Sequence, residues 1–171
     1  MQDSISQELL SVVDESDKVI GMEKRGIIHA KGLLHRAVHI LVFNPKGEIY
    51  LQKRSMRKDS SPGKWDSSSS GHVDAGEEYL QSAVRELDEE LGISVSPYDL
   101  KSITKLLPTA ATGMEFTMIY ETTTDQMPCP NPTEISAGRW LLRDQLQSWI
   151  EESPTDFASC FLEVWKAFQN Q

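Results

Sequence analysis

The acidic stretch near residue 90 carries the residue types best suited to metal chemistry. At about 100° per residue, an α-helix places Glu86, Glu89 and Glu90 on one side, with Glu86 and Glu90 one turn apart. The other side carries four apolar residues that would face a core: Leu80, Val84, Leu87 and Leu91. Gly92 ends the pattern. The spacing predicts an amphipathic helix over residues 77–91 that presents a cluster of carboxylates.

This acidic cluster is unfavourable without a cation. Like charges four residues apart on a helix repel each other, and acids near a helix C-terminus oppose the helix dipole. Between residues 71 and 93, Arg85 is the one basic residue against seven acidic ones. A solvated acidic face is the alternative interpretation, but it leaves these costs in place. Because Mg²⁺ and Mn²⁺ prefer carboxylate oxygens, the pattern favours a divalent-metal site.

The loop before this helix has the opposite charge. Residues 53–64 carry five basic side chains against one acidic one. A basic loop beside a metal-binding helix suits a diphosphate, whose oxygens can be shared between metal and protein cations. We therefore predict that Lys53, Arg54 and Lys64 contact phosphate. The alternative is that these residues only keep the surface soluble.

The remaining sequence predicts a sheet covered by helices. Residues 9–22 contain two apolar runs around a polar turn, which indicates a hairpin. Strands are predicted over five further segments: 33–43, 49–54, 100–107, 114–123 and 135–142. Two closing helices are predicted over 143–152 and 157–168. Strands interrupted by one helix and followed by others indicate an α/β fold with a mixed sheet between helices.

The composition bounds the class of protein. A chain of 171 residues with 39% apolar residues predicts one ordered domain over residues 1–171, with residues 1–7 as a flexible end. The net charge of −9 argues against nucleic acid as a partner. Cys129 and Cys160 are too few for a disulfide framework. The sequence has no run apolar enough for a membrane span and no secretory signal, so we expect no membrane association and a cytoplasmic location.

Residues 71–93 resemble the Nudix box without a gap. The matching positions are Gly71, Glu77, Arg85-Glu86, Glu89-Glu90 and Gly92, with apolar residues at both required apolar places. The resemblance implies a Nudix-type α/β/α sandwich that binds a divalent metal and cleaves a diphosphate linked to another moiety. It also implies that Glu86, Glu89 and Glu90 are the metal ligands and that one of them polarises the attacking water.

The same resemblance implies supporting roles within the box. Glu77 and Arg85 would form an ion pair, and the Gly71 carbonyl would be a further metal ligand. The chemistry is consistent with the residue types. Clustered anions hold Mg²⁺ or Mn²⁺, which lowers the pKa of a bound water and neutralises charge on the phosphoryl oxygens.

A narrower resemblance links the chain to the isopentenyl-diphosphate isomerase-like branch of this superfamily. It rests on residues 33–93 and the downstream Met-Glu-Phe at 114–116. In those isomerases a catalytic cysteine stands directly before the Gly-His pair. Here Ser70 holds that position, as the last of four serines predicted to form the strand leading into the box. Isomerisation by proton transfer, which needs that thiol, is therefore disfavoured, since a serine hydroxyl has a pKa far outside the useful range.

The isomerase-like branch also implies a second metal site. His35, His72 and Glu115 align with three of its ligands, and His29 lies within one residue of a fourth. Gly113 stands where a further acidic ligand is expected, so the site is incomplete.

The sequence thus predicts a Mg²⁺- or Mn²⁺-dependent hydrolase of a small organic diphosphate, for example of the nucleoside-diphosphate type. His35, His72 and Trp65 are predicted to contact the substrate, although Trp65 could instead be a buried core residue. Glu115 is predicted to be a further ligand or base, against the alternative of an outward polar position on a strand. An isomerase on the same scaffold and a non-catalytic nucleotide-binding module stay open as alternatives. A homodimer also stays open, because Nudix relatives are often dimers.

Overall fold

The computed structural model describes residues 7–171, so the flexible end predicted for residues 1–7 falls almost entirely outside the described residues. The elements in chain order are β1 (Leu9–Val13), β2 (Val19–Lys24), α1 (Arg25–Lys31), β3 (His35–Phe43), β4 (Ile49–Arg54), β5 (Trp65–Asp66), β6 (Ser69–His72), α2 (Tyr79–Leu91), β7 (Lys101–Leu106), β8 (Glu115–Thr123), β9 (Ile135–Leu141), α3 (Arg143–Glu152) and α4 (Ser159–Gln169). Short 3₁₀ turns occur at Pro97–Asp99 and Pro154–Asp156.

Strands β3 to β9 form one mixed sheet. Its main order is β5-β4-β3-β8-β7, with β6 paired to β3 and β9 paired to β4. β3 runs parallel to β8 along its whole length, and the other pairs are antiparallel. All nine residues of β3 are buried, as expected for a central strand covered on both faces.

The two faces of the sheet carry separate hydrophobic cores. On one face, Val38 and Ile40 of β3 pack with Leu87 and Leu91 of α2. On the other face, Leu41 of β3 packs with residues of α3 and α4: Leu146, Phe161, Val164 and Phe168. Alternate residues of a strand point to opposite faces, which is why one strand feeds both cores. The predicted α/β/α sandwich with a mixed sheet is confirmed.

Helix α2 follows the predicted pattern but begins two residues later. Glu78 is its N-cap residue, and its backbone N–H donates to the Gln81 side chain at 2.9 Å. Gly92 ends the helix in the left-handed conformation, with its N–H donating to Asp88 O at 2.9 Å. The carboxylate-bearing face of α2 is thereby fixed relative to the sheet.

The four serines fill the space between two diverging strands. β3 pairs with β4 at Phe43 and Ile49, beside the turn that joins them. Beyond that point the Ser68 hydroxyl accepts a hydrogen bond from Val42 N at 2.8 Å and donates one to Tyr50 O at 2.5 Å. The side chains at 67–69 are fully buried, so this stretch is part of the sheet.

Helix α1 was not predicted from the sequence. Its seven residues are too few for a clear helical period, and its N-cap makes no side-chain hydrogen bond. The helix follows directly on the β1–β2 hairpin, which has the predicted antiparallel pairing. It carries Arg25 and His29 towards the site described below. Within residues 7–171, none of the helices has the length and apolar character that a membrane crossing requires.

Candidate active site

A cleft of about 770 Å³ lies beside the beginning of β3 and the C-terminal half of α2. Its lining combines side chains from the acidic helix and the basic loop with others from elsewhere in the chain. The acidic residues are Glu86, Glu89, Glu90 and Glu115, and the basic ones are Arg25, Arg54, Lys58 and Arg85. The cleft also includes Ser70, Gly71 and His72 of β6. The structure therefore brings the three box glutamates and a set of cations into one cavity.

Glu90 is the most deeply placed of the three box glutamates. Its residue exposure is 4%, and its carboxylate accepts hydrogen bonds from Gln52 Nε2 at 2.8 Å and Ser70 N at 3.1 Å. Burial raises the pKa of Glu90 to about 7, and the nearby Lys58 and these hydrogen bonds oppose that rise. A buried carboxylate with a raised pKa would be stabilised by a bound cation.

Glu86 lies directly against Gly71. A β-carbon added to Gly71 would stand 2.7 Å from Glu86 Oε2 and closer still to Oε1, so this approach requires a glycine. Burial raises the pKa of Glu86 to about 8, and repulsion by Glu90 adds to the rise. Glu89 is more exposed, and its Oε2 lies 3.2 Å from Arg85 Nη1. The three carboxylates thus form a graded cluster from the interior to the mouth of the cleft.

Arg85 connects the beginning of the box to its acidic end. Its Nε and Nη2 donate to the Glu77 carboxylate at 3.0 and 2.9 Å, and Nη2 also donates to His72 O at 3.1 Å. Burial raises the pKa of Glu77, but hydrogen bonds from Arg85 and Ser82 outweigh it and hold that pKa below its ordinary value. The ion pair that the resemblance implied is therefore present in the structure, and it ties the loop before α2 to β6.

A second cluster of metal-binding groups lies in the same region. Ligand atoms of His29, His35, His72 and Glu115 all lie within 4.8 Å of one another. Glu115 Oε1 is 3.0 Å from His72 Nε2 and 3.3 Å from His35 Nε2. Burial raises the pKa of Glu115, but the neighbouring His35 and His72 outweigh this effect and hold the pKa well below its ordinary value.

The fit of this cluster to a metal ion is best tested at His35. This residue is 1% exposed, and its Nδ1 donates to Leu33 O at 2.9 Å, which leaves a lone pair on Nε2. That Nε2 is buried, and because it carries a lone pair it cannot donate to the Glu115 carboxylate 3.3 Å away, so it has no hydrogen-bond partner among residues 7–171. Burial and repulsion by the other histidines lower the pKa of His29 to about 4, so this imidazole is neutral at pH 7. A cation would satisfy these lone pairs, and the residues present therefore fit a metal.

The cations of the cleft come partly from an unexpected place. Arg25, on α1, is 8% exposed, and its Nη2 donates to Asp59 Oδ1 at 2.9 Å. Its buried Nε has no hydrogen-bond partner in the described part of the chain. Arg54 pairs with Asp66 at 3.1 Å, and Lys58 pairs with Glu134. Sequence reasoning missed Arg25 because α1 was missed, although its place four residues before His29 was a usable signal.

Four residues predicted to bind the substrate lie outside the lining of the cleft: His35, Lys53, Lys64 and Trp65. Neighbouring strand residues point to opposite sides, so Arg54 lines the cleft while Lys53 lies over the Trp65 ring, with Nζ 5.9 Å from the centroid. Lys64 donates to Thr155 O. Trp65 packs edge-on against Trp149 at 5.3 Å, which corresponds to the alternative of a core residue. His35 is also too deep to line the cleft, and it reaches the site through Nε2.

Comparison with known proteins agrees with this geometry. A family model described as NUDIX domain matches residues 33–159. This chain belongs to the Nudix family. The match spans the box, the whole mixed sheet and most of the residues that line the cleft, so the prediction of a Nudix hydrolase is confirmed at the level of the family.

Individual Nudix relatives match over most of the chain. An isopentenyl-diphosphate Delta-isomerase from Serratia proteamaculans is 35% identical over 161 residues, covering 93% of this chain and 90% of that protein. An uncharacterized Nudix hydrolase from Nostoc sp. is 34% identical over 146 residues, covering 85% of this chain and 86% of that protein. The crystal structure of a hypothetical Nudix protein from Deinococcus radiodurans has a TM-score of 0.77 at 26% identity, covering 95% of this chain and 98% of that one.

Proposed function

We propose that this Nudix protein hydrolyses the P–O–P bond of a small organic diphosphate with the help of Mg²⁺ or Mn²⁺. The observation that carries the proposal is that Glu86, Glu89 and Glu90 line the same cleft as Arg25, Arg54 and Lys58. Carboxylates that can hold a hard cation thus face the cavity that also offers cations for phosphate oxygens.

Glu86, Glu89 and Glu90 would hold the divalent ion, and the Gly71 carbonyl would be a further ligand. When bound, such an ion lowers the pKa of a coordinated water and neutralises charge on phosphoryl oxygens. The raised pKa values of Glu86 and Glu90 support this role, because a cation would stabilise their ionised forms. One of these glutamates would then accept the proton of the attacking water.

The remaining residues of the cleft would position the reactants. Arg25, Arg54 and Lys58 would bind phosphate oxygens and exchange their present carboxylate partners for the substrate. Arg85 and Glu77 would keep the loop before α2 in place, so that Gly71 stays against Glu86. The pocket formed by His29, His35, His72 and Glu115 would hold a second metal, for which the unpaired Nε2 of His35 is the main support.

The proposal is tested by turnover in ¹⁸O-labelled water. A panel of nucleoside, sugar and isopentenyl diphosphates is incubated with Mg²⁺ or Mn²⁺, with wild type and Glu90→Gln in parallel. Label in a phosphate product of wild type, reduced at least about a hundredfold in Glu90→Gln, is the expected result. Full turnover by Glu90→Gln would show that the metal site is wrongly assigned. Ligand binding without turnover under either metal would indicate a non-catalytic module.

Isomerisation of a diphosphate is the second candidate function. Two observations favour it: the identity to the Serratia protein named as an isomerase, and the His29, His35, His72 and Glu115 cluster. The serine at position 70 argues against it, because no thiol stands before Gly71. Deuterium incorporation from D₂O into isopentenyl diphosphate without release of phosphate would decide for the isomerase.

A further inference from the structure

Gln52 of β4 is a buried amide behind the wall of the cleft. Its exposure is 1%, and it is not among the residues that line the cavity. Alternate residues of a strand point to the same face, so Gln52 shares its side of the sheet with Tyr50 and Arg54. Tyr50 belongs to the hydrophobic core under α2, and Arg54 lines the cleft. Gln52 therefore lies at the border between this core and the cleft.

The partners of this amide explain why a polar residue is tolerated at the border. Nε2 of Gln52 donates to Glu90 Oε2 at 2.8 Å and to Ser68 O at 3.3 Å. Both partners are acceptors, so the amide nitrogen must face them and not the amide oxygen. Within residues 7–171, Glu90 is the one side chain that Gln52 binds. Because burying an amide is unfavourable without such bonds, Gln52 is linked directly to the deepest carboxylate of the box.

A second donor reaches the same oxygen of Glu90. Ser70 N donates to Oε2 at 3.1 Å, and the Ser69 hydroxyl is buried beside the same carboxylate. An ionised carboxylate has about two lone-pair sites on each oxygen, and the bonds from Gln52 and Ser70 use those of Oε2. Oε1 is then the oxygen that Glu90 would offer to a cation in the cleft that it lines.

We propose, on the basis of the metal-dependent hydrolysis proposed above, that Gln52 is a positioning residue that holds Glu90 Oε2 and thereby directs Oε1 at the divalent ion. Gln52 acts through Glu90, since it is too deeply buried to touch substrate in the cleft. A neutral donor suits this role. A lysine at this position would neutralise the carboxylate and compete with the divalent ion, whereas an amide orients Glu90 and leaves its charge available.

The test measures Mn²⁺ binding to the metal-free protein by calorimetry, which needs no substrate. The box component of binding is identified as the component that Glu90→Gln removes. Gln52→Met keeps an unbranched side chain of similar length but has no donor. We expect it to weaken the box component about tenfold or more, because hydrogen bonds that orient a metal ligand contribute to affinity on this scale. Gln52→Asn keeps the amide but is one methylene shorter, so it should lose affinity as well.

Thr122→Val is the matched control for loss of a buried polar group. Thr122 of β8 is 4% exposed and does not line the cleft. Its replacement should leave the Mn²⁺ affinity within about twofold of wild type, since the site is independent of Glu90. Thermal unfolding of each metal-free protein, followed by circular dichroism, shows the folded fraction. The two substitutions at Gln52 disturb packing differently, so a folding defect in one leaves the other to decide.

Kinetics separate positioning from packing. At saturating Mn²⁺, Gln52→Met should lower kcat about tenfold or more and leave KM for the diphosphate within about twofold, because the cations that would bind phosphate are unchanged. A residue that only fills space would leave the Mn²⁺ affinity of the folded variant at the wild-type value. That result, in either Gln52 variant, would overturn the inference.

The outcomes also distinguish this role from the proposed hydrolysis. Weaker Mn²⁺ binding in Gln52→Met, together with no turnover by wild type, would refute hydrolysis and support the positioning role. Turnover by wild type, together with unchanged Mn²⁺ binding in Gln52→Met, would refute only the positioning role. If wild type has no Mn²⁺ binding that depends on Glu90, the metal site is wrongly assigned and the role of Gln52 is wrong with it.

Discussion

Gly71 and Glu86 are in such close contact that no side chain fits between them. A β-carbon on Gly71 would lie 2.7 Å from Glu86 Oε2, closer than β-carbons approach other atoms in proteins. The position of the Glu86 carboxylate in the cleft therefore depends on the absence of a side chain at Gly71. Backbone strain is not the reason for the glycine, because Gly71 has ordinary extended geometry in β6.

Replacing Gly71 by Ala should consequently displace Glu86 and impair metal binding. We expect at least about a hundredfold loss of kcat/KM and weaker Mn²⁺ binding by calorimetry, with the fold retained. Gly21→Ala is the matched control, because a β-carbon at Gly21 meets nothing within 4 Å. Unchanged Mn²⁺ affinity in Gly71→Ala would remove Glu86 from the list of ligands.

Substitutions of Arg25 and Lys53 test where phosphate binds. The structure favours Arg25, whereas the sequence alone predicted Lys53. Arg25 lines the cleft, whereas Lys53 lies over Trp65 outside it. Arg25→Gln should raise KM for a diphosphate substrate about tenfold or more, because a charge-assisted hydrogen bond is lost. Lys53→Gln should leave KM within about twofold of wild type, since a surface charge of this kind contributes little. Steady-state kinetics decide the matter, and equal effects of the two substitutions would count against the role of Arg25.

His35 offers a way to separate the two metal sites. Its buried Nε2 faces His72 and Glu115, and it belongs to the histidine cluster, which does not include the box glutamates. His35→Gln should weaken Zn²⁺ or Mn²⁺ binding at the histidine cluster by more than about tenfold, while Glu90→Gln should weaken the box site instead. Metal titration by calorimetry, read together with bound-metal analysis, distinguishes the two losses. A single site abolished by either substitution would show that the two clusters share one ion.

Asp17 should make the stability of the fold dependent on pH. It accepts hydrogen bonds from Arg36 Nε at 2.7 Å, Tyr79 Oη at 2.9 Å and Lys105 Nζ at 2.6 Å, and so joins the hairpin to β3, α2 and β7. Burial raises the pKa of Asp17, but these hydrogen bonds outweigh it and the pKa lies below its ordinary value. The stabilisation is therefore fully present above the unfolded-state pKa of about 4 and is lost as the pH falls through the lower folded-state pKa.

Asp17→Asn should accordingly lower the free energy of unfolding by about 1–3 kcal/mol at pH 7. Asparagine tolerates the positive φ of this position, so the loss reports on charge and hydrogen bonding. Urea denaturation at pH 7 and pH 3 should show the difference from wild type shrinking in acid. Glu15→Gln, at an exposed site of the same turn, should change stability by less than about 0.5 kcal/mol. A difference independent of pH would argue that the Asp17 charge is not what stabilises the fold.

The sequence by itself determined those features whose causes are local. The hairpin, β3 and the long β8 follow from short apolar patterns, and the face of α2 that carries Glu86 and Glu90 follows from helical periodicity. The box lies within residues 71–93, so its helix and its flanking glycines could be read from spacing alone. The end of the helix at Leu91 is as predicted, whereas its start lies two residues later because Glu78 is the N-cap residue and the first helical residue is Tyr79.

Tertiary structure alone decided what the sheet and its neighbours bring together. Arg25 enters the cleft because α1 packs there, and seven residues without a cap give no sequence pattern strong enough to show it. Arg54 faces the cavity and Lys53 does not, because successive strand residues alternate in direction and the face of β4 is set by its partners. Cys160 contacts His39 because α4, near the C-terminus, packs against the face of the sheet that includes β3. Contacts between distant segments are fixed by packing, and packing is a property of the whole fold.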